Sequence, residues 1–99
     1  MRIDFDWDPE KAATNAAKHG VSFNEAMSAF RDPLARSLYD TDSTEEERWV
    51  TMGLASTGNL LVVVHTWSET GPERVAVRII SARRPTRNEA RQYREDPLP

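Results

Sequence analysis

The sequence predicts an α+β fold in which two N-terminal helices pack on a twisted antiparallel sheet of about four strands, followed by a closing helix. Two observations lead to this prediction. Helix-capping signals fill the first third of the chain, and residues 34–82 alternate between apolar and polar side chains as strands do. A further capping signal then follows the last apolar run. At 99 residues the chain can form one modest core but not two, so a single domain spanning 1–99 is predicted.

The first strand and the first helix have clear local boundaries. Residues 2–7 alternate between apolar and acidic side chains, which predicts a short strand with one buried face. Asp8 is a good helix cap and Pro9 suits the first helical position, so a helix is predicted over residues 9–19. Gly20 can adopt the left-handed conformation that ends it.

A capping box opens the second helix. The hydroxyl of Ser22 can accept a hydrogen bond from the amide of Glu25, while the Glu25 carboxylate reaches back to the helix start. The second helix is predicted over residues 23–31. It must end before Pro33, because a proline disfavours helical geometry in the residue that precedes it.

The middle of the chain is predicted to be sheet. A weak strand over residues 34–39 leads into an acidic loop, residues 40–47, and a clearly alternating strand follows over residues 48–55. Residues 56–59 have the composition of a hairpin turn. Residues 60–64 are apolar on both faces, which predicts the central strand of the sheet.

The C-terminal third contains the last strand and the closing helix. Residues 68–73 are predicted to be a polar connection, and residues 74–82 the last strong strand. A second capping box at residues 86–89 then opens a helix that runs to about Arg94. The residues predicted to be buried in the sheet are Val50, Met52, Leu61, Val63, Val77 and Ile79.

Positive charge is concentrated at the C-terminal end, although the net charge of the whole chain is −3. Residues 1–73 carry six Lys or Arg against thirteen Asp or Glu, whereas residues 74–99 carry seven against three. Such segregation predicts a surface for a polyanion, since the local field matters more than the total charge. The residues predicted to bind RNA or a protein partner are Arg74, Arg84, Arg87, Arg91 and Arg94.

Two arginines of the last strand are ambiguous. Arg74 and Arg78 share one strand face with apolar neighbours, and an arginine there needs either a structural carboxylate or a ligand phosphate. The sequence leaves both interpretations open. Arg83 lies where this strand joins the closing helix, close to the predicted position of Glu89.

Cleavage of RNA by a protein without a metal ion requires a base, an acid and cations that stabilise the transition state. Arginine cannot act as the base. Glu89 could, but it could equally serve only as the helix cap, and His65 could act as acid or base or lie buried in the core. The candidate catalytic residues are Arg78, Arg83, Glu89, His65 and Tyr93, the last on the same helix face as Glu89.

The composition excludes several classes of site. The chain has no cysteine, and its two histidines cannot hold a metal unaided, so neither a metal site nor a cofactor is predicted. No apolar signal segment or membrane-spanning run is present, which predicts a cytoplasmic protein that does not bind membranes. The acidic loop, residues 40–47, is either a solvated loop or a docking edge for a basic partner.

Specific motifs along nearly the whole chain resemble the BrnT family of type II toxins. They are Phe5-Asp6-Trp7-Asp8-Pro9-Glu10-Lys11, Asn15, Lys18-His19-Gly20-Val21-Ser22-Phe23-Asn24-Glu25-Ala26, Phe30-Arg31-Asp32-Pro33, Glu47-Arg48, Gly53, Leu61-Val62-Val63-Val64-His65-Thr66, and Val77-Arg78-Ile79-Ile80-Ser81-Ala82-Arg83 with Glu89 and Tyr93. The resemblance implies a RelE-like fold and a growth-arresting endoribonuclease. By position it implies functional roles for Arg78, Arg83, Glu89 and Tyr93.

The resemblance also implies a protein partner. A BrnA-like antitoxin with a ribbon-helix-helix domain would neutralise the toxin in a heterotetramer, and this complex would repress its own operon. Operator DNA would then be contacted only through the antitoxin. The alternative function is a catalytically inactive binding module or co-repressor that uses the arginine-rich face to dock a partner or nucleic acid.

Overall fold

The computed structural model describes residues 1–42 and 46–95, which form three helices and six strands. The helices are α1 (Pro9–His19), α2 (Phe23–Ala29) and α3 (Arg87–Glu95). The strands are β1 (Arg2–Asp6), β2 (Arg36–Tyr39), β3 (Trp49–Leu54), β4 (Leu60–His65), β5 (Ser68–Gly71) and β6 (Arg74–Arg83). Part of the predicted acidic loop, residues 43–45, lies outside the described residues. None of the described helices is long and apolar enough to cross a bilayer.

The predicted cap of α1 and the Ser22 half of the capping box at α2 are confirmed, whereas the Glu25 carboxylate accepts hydrogen bonds from Thr57 and Asn59 instead of reaching back to the helix start. The Asp8 carboxylate accepts the Glu10 amide at 2.9 Å, and Gly20 ends α1 in the left-handed conformation with a φ of 68°. The hydroxyl of Ser22 accepts the Glu25 amide at 3.0 Å. Helix α2 stops at Ala29, two residues earlier than predicted, because the chain tightens there into turns that bond three residues back.

The predicted antiparallel meander is confirmed for the four strands β2, β3, β4 and β6, but the sheet has two further strands and one of them pairs in parallel. The sheet has six strands in the order β1-β6-β4-β3-β2, with β5 also paired to β6. Strand β1 runs parallel to β6, so that Ile3 lies opposite Val75 and Phe5 opposite Val77. Apolar alternation is the same in parallel and antiparallel edge strands, so the pattern in residues 2–7 did not indicate a direction.

Strand β5 was predicted to be only a polar connection. Its four residues are all exposed, and they pair antiparallel with the first half of β6, where Ser68 lies opposite Ala76. Backbone hydrogen bonds hold β5 in place without burial of its side chains. Hydrophobic periodicity therefore carried no signal for it.

Helices α1 and α2 cover one face of the sheet and form the core with it. The core cluster comprises Val21, Phe23, Ala26, Ala55, Leu61, Val63, Val75, Val77, Ile79 and Ala82. Of the residues predicted to be buried, Val50 and Met52 are only half-buried, because they lie on the opposite face of β3 from the buried Thr51 and Gly53.

A β-bulge in β6 determines which arginines share a surface. Ile79 and Ala82 are both buried although they are three residues apart, and the pairing register with β4 shifts between them. An extra residue in one strand reverses the in–out alternation beyond it. Arg78 and Arg83 therefore project from the same face of the sheet, the one opposite α1 and α2.

Candidate functional site

The sheet face opposite α1 and α2 carries the two central arginines of β6. Arg83 lies opposite Val62 in the pairing of β6 with β4, and Arg78 follows the same face on the other side of the bulge. Both side chains are partly open to solvent, at 39% exposure for Arg83 and 47% for Arg78. We call this surface, defined by Arg78, Arg83, Val62 and Val64, the arginine face.

Arg83 is held by Glu89 in a bidentate pair. Its two terminal nitrogens donate to the two carboxylate oxygens at 2.8 and 3.0 Å. The same carboxylate accepts the Thr86 amide at 2.8 Å, and the Glu89 amide donates to the Thr86 hydroxyl at 3.2 Å. Glu89 is thus the predicted helix cap and the partner of Arg83 at once, because the start of α3 lies directly after the end of β6.

The electrostatics of this pair limit what Glu89 can do. The hydrogen bonds from Arg83, and to a lesser degree the Thr86 amide, lower the pKa of Glu89 to about 2. In return, Glu89 raises the pKa of Arg83. A carboxylate that binds protons so weakly is a poor base at neutral pH. The arrangement instead fixes the direction of the Arg83 guanidinium.

Arg78 and Arg74 also have carboxylate partners, which is one of the two alternatives that the sequence left open. Arg78 Nη2 donates to the two carboxylate oxygens of Glu46 at 2.8 and 2.6 Å. Arg74 donates to Asp4 at 3.1 Å across the parallel pairing of β1 with β6. Each of these pairs is substantially exposed, so a ligand phosphate could replace the carboxylate at little cost.

The structure does not bring His65 to the arginines. Its side chain is on the core face of β4, 1% exposed, with its ring 4.8 Å from that of Phe30. Nδ1 donates to the Thr66 carbonyl at 2.8 Å, so Nε2 accepts a hydrogen bond from the Thr51 hydroxyl at 2.6 Å. Burial lowers the pKa of His65. The geometry supports the core interpretation of this histidine and not the catalytic one.

Tyr93 connects α3 to the rest of the domain. Its hydroxyl donates to Asp32, whose carboxylate also accepts the amides of Leu34 and Leu54 at 2.9 and 2.8 Å. The pKa of Tyr93 is raised to about 12, mainly by burial and secondly by the Asp32 carboxylate. Asp32 was not among the candidate residues, although its place just before Pro33 signalled a turn that needs a side-chain acceptor.

The arginines that follow β6 are all exposed, and we call this set of residues the basic strip: Arg84, Arg87, Arg91 and Arg94. Within it, Arg91 donates to Asn88 at 2.5 Å. Arg84 lies close enough to Glu25 to contribute, after Thr57 and Asn59, to the lowered pKa of that carboxyl.

Asn15 is a site residue to which the sequence reasoning gave no role. Its side chain is 6% exposed and brackets Ala82: Nδ2 donates to the Ala82 carbonyl at 2.8 Å, and Oδ1 accepts the Ala82 amide at 3.0 Å. Nδ2 also donates to the Val21 carbonyl at 3.0 Å. Asn15 therefore ties α1 to β6 at the residue next to Arg83. The sequence signal that could have indicated this role is a side-chain amide in the middle of a short alanine-rich helix.

Comparisons with known proteins identify the family and the fold of the chain. The family model described as "Ribonuclease toxin, BrnT, of type II toxin-antitoxin system" matches residues 7–89. The fold is similar to the crystal structure of the Brucella abortus ribonuclease toxin BrnT, with a TM-score of 0.59 and 24% identity over 88% of this chain and 100% of that one. No curated protein matches significantly. Because the family match spans most of the chain and includes Arg78, Arg83 and Glu89, the protein belongs to the BrnT family of type II toxin–antitoxin ribonuclease toxins.

Proposed function

We propose that the protein is a growth-arresting endoribonuclease that acts in the cytoplasm and cleaves RNA at the arginine face without a metal ion. The observation that supports this proposal best is the placement of Arg78 and Arg83 on one sheet face, each oriented by one carboxylate. Guanidinium groups match the geometry of phosphate oxygens, and fixed cations stabilise the charge that develops on them in the transition state.

In the proposed reaction the scissile phosphate lies against Arg78 and Arg83. The 2′-oxygen of the RNA attacks the neighbouring phosphorus and loses its proton, while the 5′-oxygen leaves and gains one. Glu89 holds Arg83 in place, since its pKa of about 2 makes it a poor proton acceptor. Proton transfer then involves water, and most of the rate enhancement comes from the two guanidiniums.

The proposed chemistry uses no metal ion. The two arginines already supply the positive charge that a divalent cation would bring to the phosphate. Chelators are therefore expected to leave cleavage unchanged.

The proposal includes a BrnA-like antitoxin with a ribbon-helix-helix domain. An acidic partner that covers both the arginine face and the basic strip would block access of RNA. We expect a heterotetramer that represses its own operon, with operator DNA bound through the antitoxin alone. The RelE-like relationship implied by the sequence belongs to this proposal, supported by a helical layer on one sheet face and arginines on the other.

The test compares growth arrest and cleavage of RNA by purified variants whose folding is verified. Arg78→Ala and Arg83→Ala should each reduce cleavage by about 100-fold or more, because each removes a fixed donor to the transition state. Arg→Lys at either position should restore activity only in part, since the bidentate fork is lost. Arg2→Ala, which removes an exposed arginine paired with Asp4 on β1, is the matched control and should change nothing.

A second candidate function is an inactive binding module or co-repressor. It is favoured by the low pKa of Glu89, by the hydrogen bonds from Arg78 that lower the pKa of Glu46, and by the burial of His65, which together leave the arginine face without a good proton acceptor at neutral pH among the described residues. Under this function the parent protein would bind RNA or DNA without cleaving it. Equal toxicity of the parent and of the Arg78→Ala, Arg83→Ala and Glu89→Gln variants would contradict the ribonuclease proposal.

A further inference from the structure

Arg78 belongs to a cluster of three charged side chains on the arginine face, of which Arg48 has no role in the mechanism above. The Glu46 carboxylate accepts from Arg78 at 2.6 and 2.8 Å and also lies 3.6 Å from Nη2 of Arg48. Arg48 directly precedes β3, whereas Arg78 is in β6, and β4 separates these strands in the sheet. One carboxylate thus spans two guanidiniums from different parts of the chain.

Strand pairing places the two guanidiniums in one row. In the pairing of β3 with β4, Trp49 lies opposite His65 and Val50 opposite Val64. The same register, continued by one residue, places Arg48 opposite Thr66. Side chains two residues apart in a strand share a face, so Arg48 and Thr66 lie on the face of Val50 and Val64. Thr66 in turn is bonded to Arg78 twice: its amide donates to the Arg78 carbonyl at 3.0 Å, and its hydroxyl accepts the Arg78 amide at 3.0 Å. Arg48 and Arg78 therefore flank Thr66 on the arginine face.

The guanidinium of Arg48 is poorly satisfied. Its side chain is 31% exposed, and its Nε is buried without a hydrogen-bond partner among the described residues. Its one ion-pair contact in that part of the chain is the 3.6 Å approach to Glu46, which is long for a hydrogen bond. Because this Nε is out of reach of a ligand, an additional oxyanion would bind the terminal nitrogens of this partly desolvated guanidinium.

We propose that Arg48 and Arg78 form a phosphate-binding subsite for RNA, and that Glu46 occupies this subsite in the free protein as an internal competitor. The inference rests on the proposed function and adds Arg48 to the residues that contact RNA. Carboxylate and phosphodiester groups both accept paired hydrogen bonds from guanidinium, so one can replace the other. Glu46 is partly exposed, at 36%, so that water can solvate it once RNA displaces it.

The experiment measures binding of a short 2′-O-methyl RNA, which lacks the attacking hydroxyl, by fluorescence anisotropy. Glu46→Gln should tighten binding by about fivefold at about 0.1 M salt, because it removes a competing negative charge from both guanidiniums. Glu47→Gln is the matched control: it makes the same charge change at an exposed neighbour that has no ion pair among the described residues, and it should alter affinity by less than about twofold.

Arg48→Ala provides the second arm. It should weaken binding several-fold, reduce the salt dependence by about one phosphate contact, and abolish the gain from Glu46→Gln in the double variant. Arg48→Lys keeps the charge, and its affinity for RNA should lie between those of the parent and of Arg48→Ala. This variant guards against a folding defect in the alanine variant. Equal affinities of Glu46→Gln and Glu47→Gln, or an unchanged salt slope for Arg48→Ala, would overturn the proposal.

Binding and cleavage are separable in this design. A parent protein that cleaves no RNA, but in which Glu46→Gln still tightens binding, would contradict the ribonuclease function and retain the subsite. A parent protein that cleaves RNA, but in which Glu46→Gln behaves like Glu47→Gln, would retain the function and remove the subsite. Failure of every variant to bind RNA would remove both.

Discussion

At the scale of single residues, the arginines of β6 are oriented by carboxylates that come from other parts of the chain. Asp4 contacts Arg74, Glu46 contacts Arg78, and Glu89 contacts Arg83. The first two pairs are largely exposed and contribute little to stability, whereas the bidentate pair of Arg83 is also the cap of α3. Glu89 is therefore the carboxylate whose ionisation should be visible in the stability of the fold.

The first prediction concerns this ionisation. The pKa of Glu89 falls from its ordinary 4.5 to about 2 on folding, so its contribution is present above pH 4.5 and is lost as the pH falls towards 2. Glu89→Gln should lower the free energy of unfolding by about 1 kcal/mol at pH 7, a discounted value because solvent screens the half-exposed pair. In urea titrations, the difference in free energy of unfolding between the variant and the parent should disappear near pH 2. A difference in this free energy that does not vary with pH would contradict the prediction.

The second prediction concerns Asn15. Asn15→Ala leaves the amide and carbonyl of Ala82 and the carbonyl of Val21 without their partner in a buried position. The expected loss is about 2–4 kcal/mol in the free energy of unfolding. Thr14→Ala, at the exposed neighbouring position of α1, should change it by less than about 0.5 kcal/mol. Similar denaturation midpoints for the two variants would show that Asn15 does not hold β6 in place.

At the scale of elements, the end of α2 lies directly against β3. A Cβ added to Gly53 would come within 2.5 Å of the carbonyl oxygen of Ala29 and 3.2 Å of the Ala35 Cβ. The backbone of the helix end cannot move aside without disturbing the turn that follows it. This close approach explains why β3 has a glycine where its alternation calls for a buried side chain.

The third prediction follows from this contact. Gly53→Ala should destabilise the fold by about 1–3 kcal/mol, because the new methyl group meets backbone and not a flexible side chain. Gly71→Ala in β5 is the matched control, since nothing lies within 4 Å of the added Cβ. Thermal unfolding of the two variants measures the difference, and equal melting temperatures would argue against the tight packing of α2 on β3.

At the scale of the whole molecule, positive charge is concentrated in the last strand and the last helix of the chain. The arginines of β6 and of the basic strip lie there, whereas α1 carries the exposed Lys11 and Lys18 together with Glu10. A partner that recognises the protein through negative charge should therefore approach the sheet face and α3 and not α1.

The fourth prediction concerns the antitoxin. Arg87→Glu combined with Arg91→Glu should weaken its binding by at least about tenfold, because two attractive contacts become repulsive. Lys11→Glu combined with Lys18→Glu makes the same change in net charge on α1 and should have a much smaller effect. Calorimetric titration with the antitoxin compares the two double variants. If both double variants weaken binding equally, the effect comes from net charge and not from a docking surface on α3.

Much of the fold could be predicted from the sequence because its signals are local. The caps of α1 and α2, the hairpin between β3 and β4, and the capping box of α3 all depend on residues within four positions of each other. Strand β5 could not be predicted in this way, because only the backbone of β6 holds it. The end of α2 was also misplaced, since turn formation near Asp32 shortens the helix.

The candidate site was predicted in its residue types but not in its arrangement. Arg83 and Glu89 are close in sequence, so their proximity could be expected, although the strength of their pairing could not. Burial of His65 was left open because the central strand is apolar on both faces, and either face could have met the core. Which face does so depends on where α1 and α2 pack.

The sequence alone therefore determined the succession of helices and strands apart from β5, the concentration of arginine in β6 and α3, and membership of the BrnT family. Only the tertiary structure decided that a bulge aligns Arg78 with Arg83, and that Glu46 and Asp4 reach Arg78 and Arg74 across 32 and 70 residues of chain. The physical reason is that capping and periodicity act between near neighbours in sequence. Strand direction, register and ion pairing act between groups that folding alone brings together.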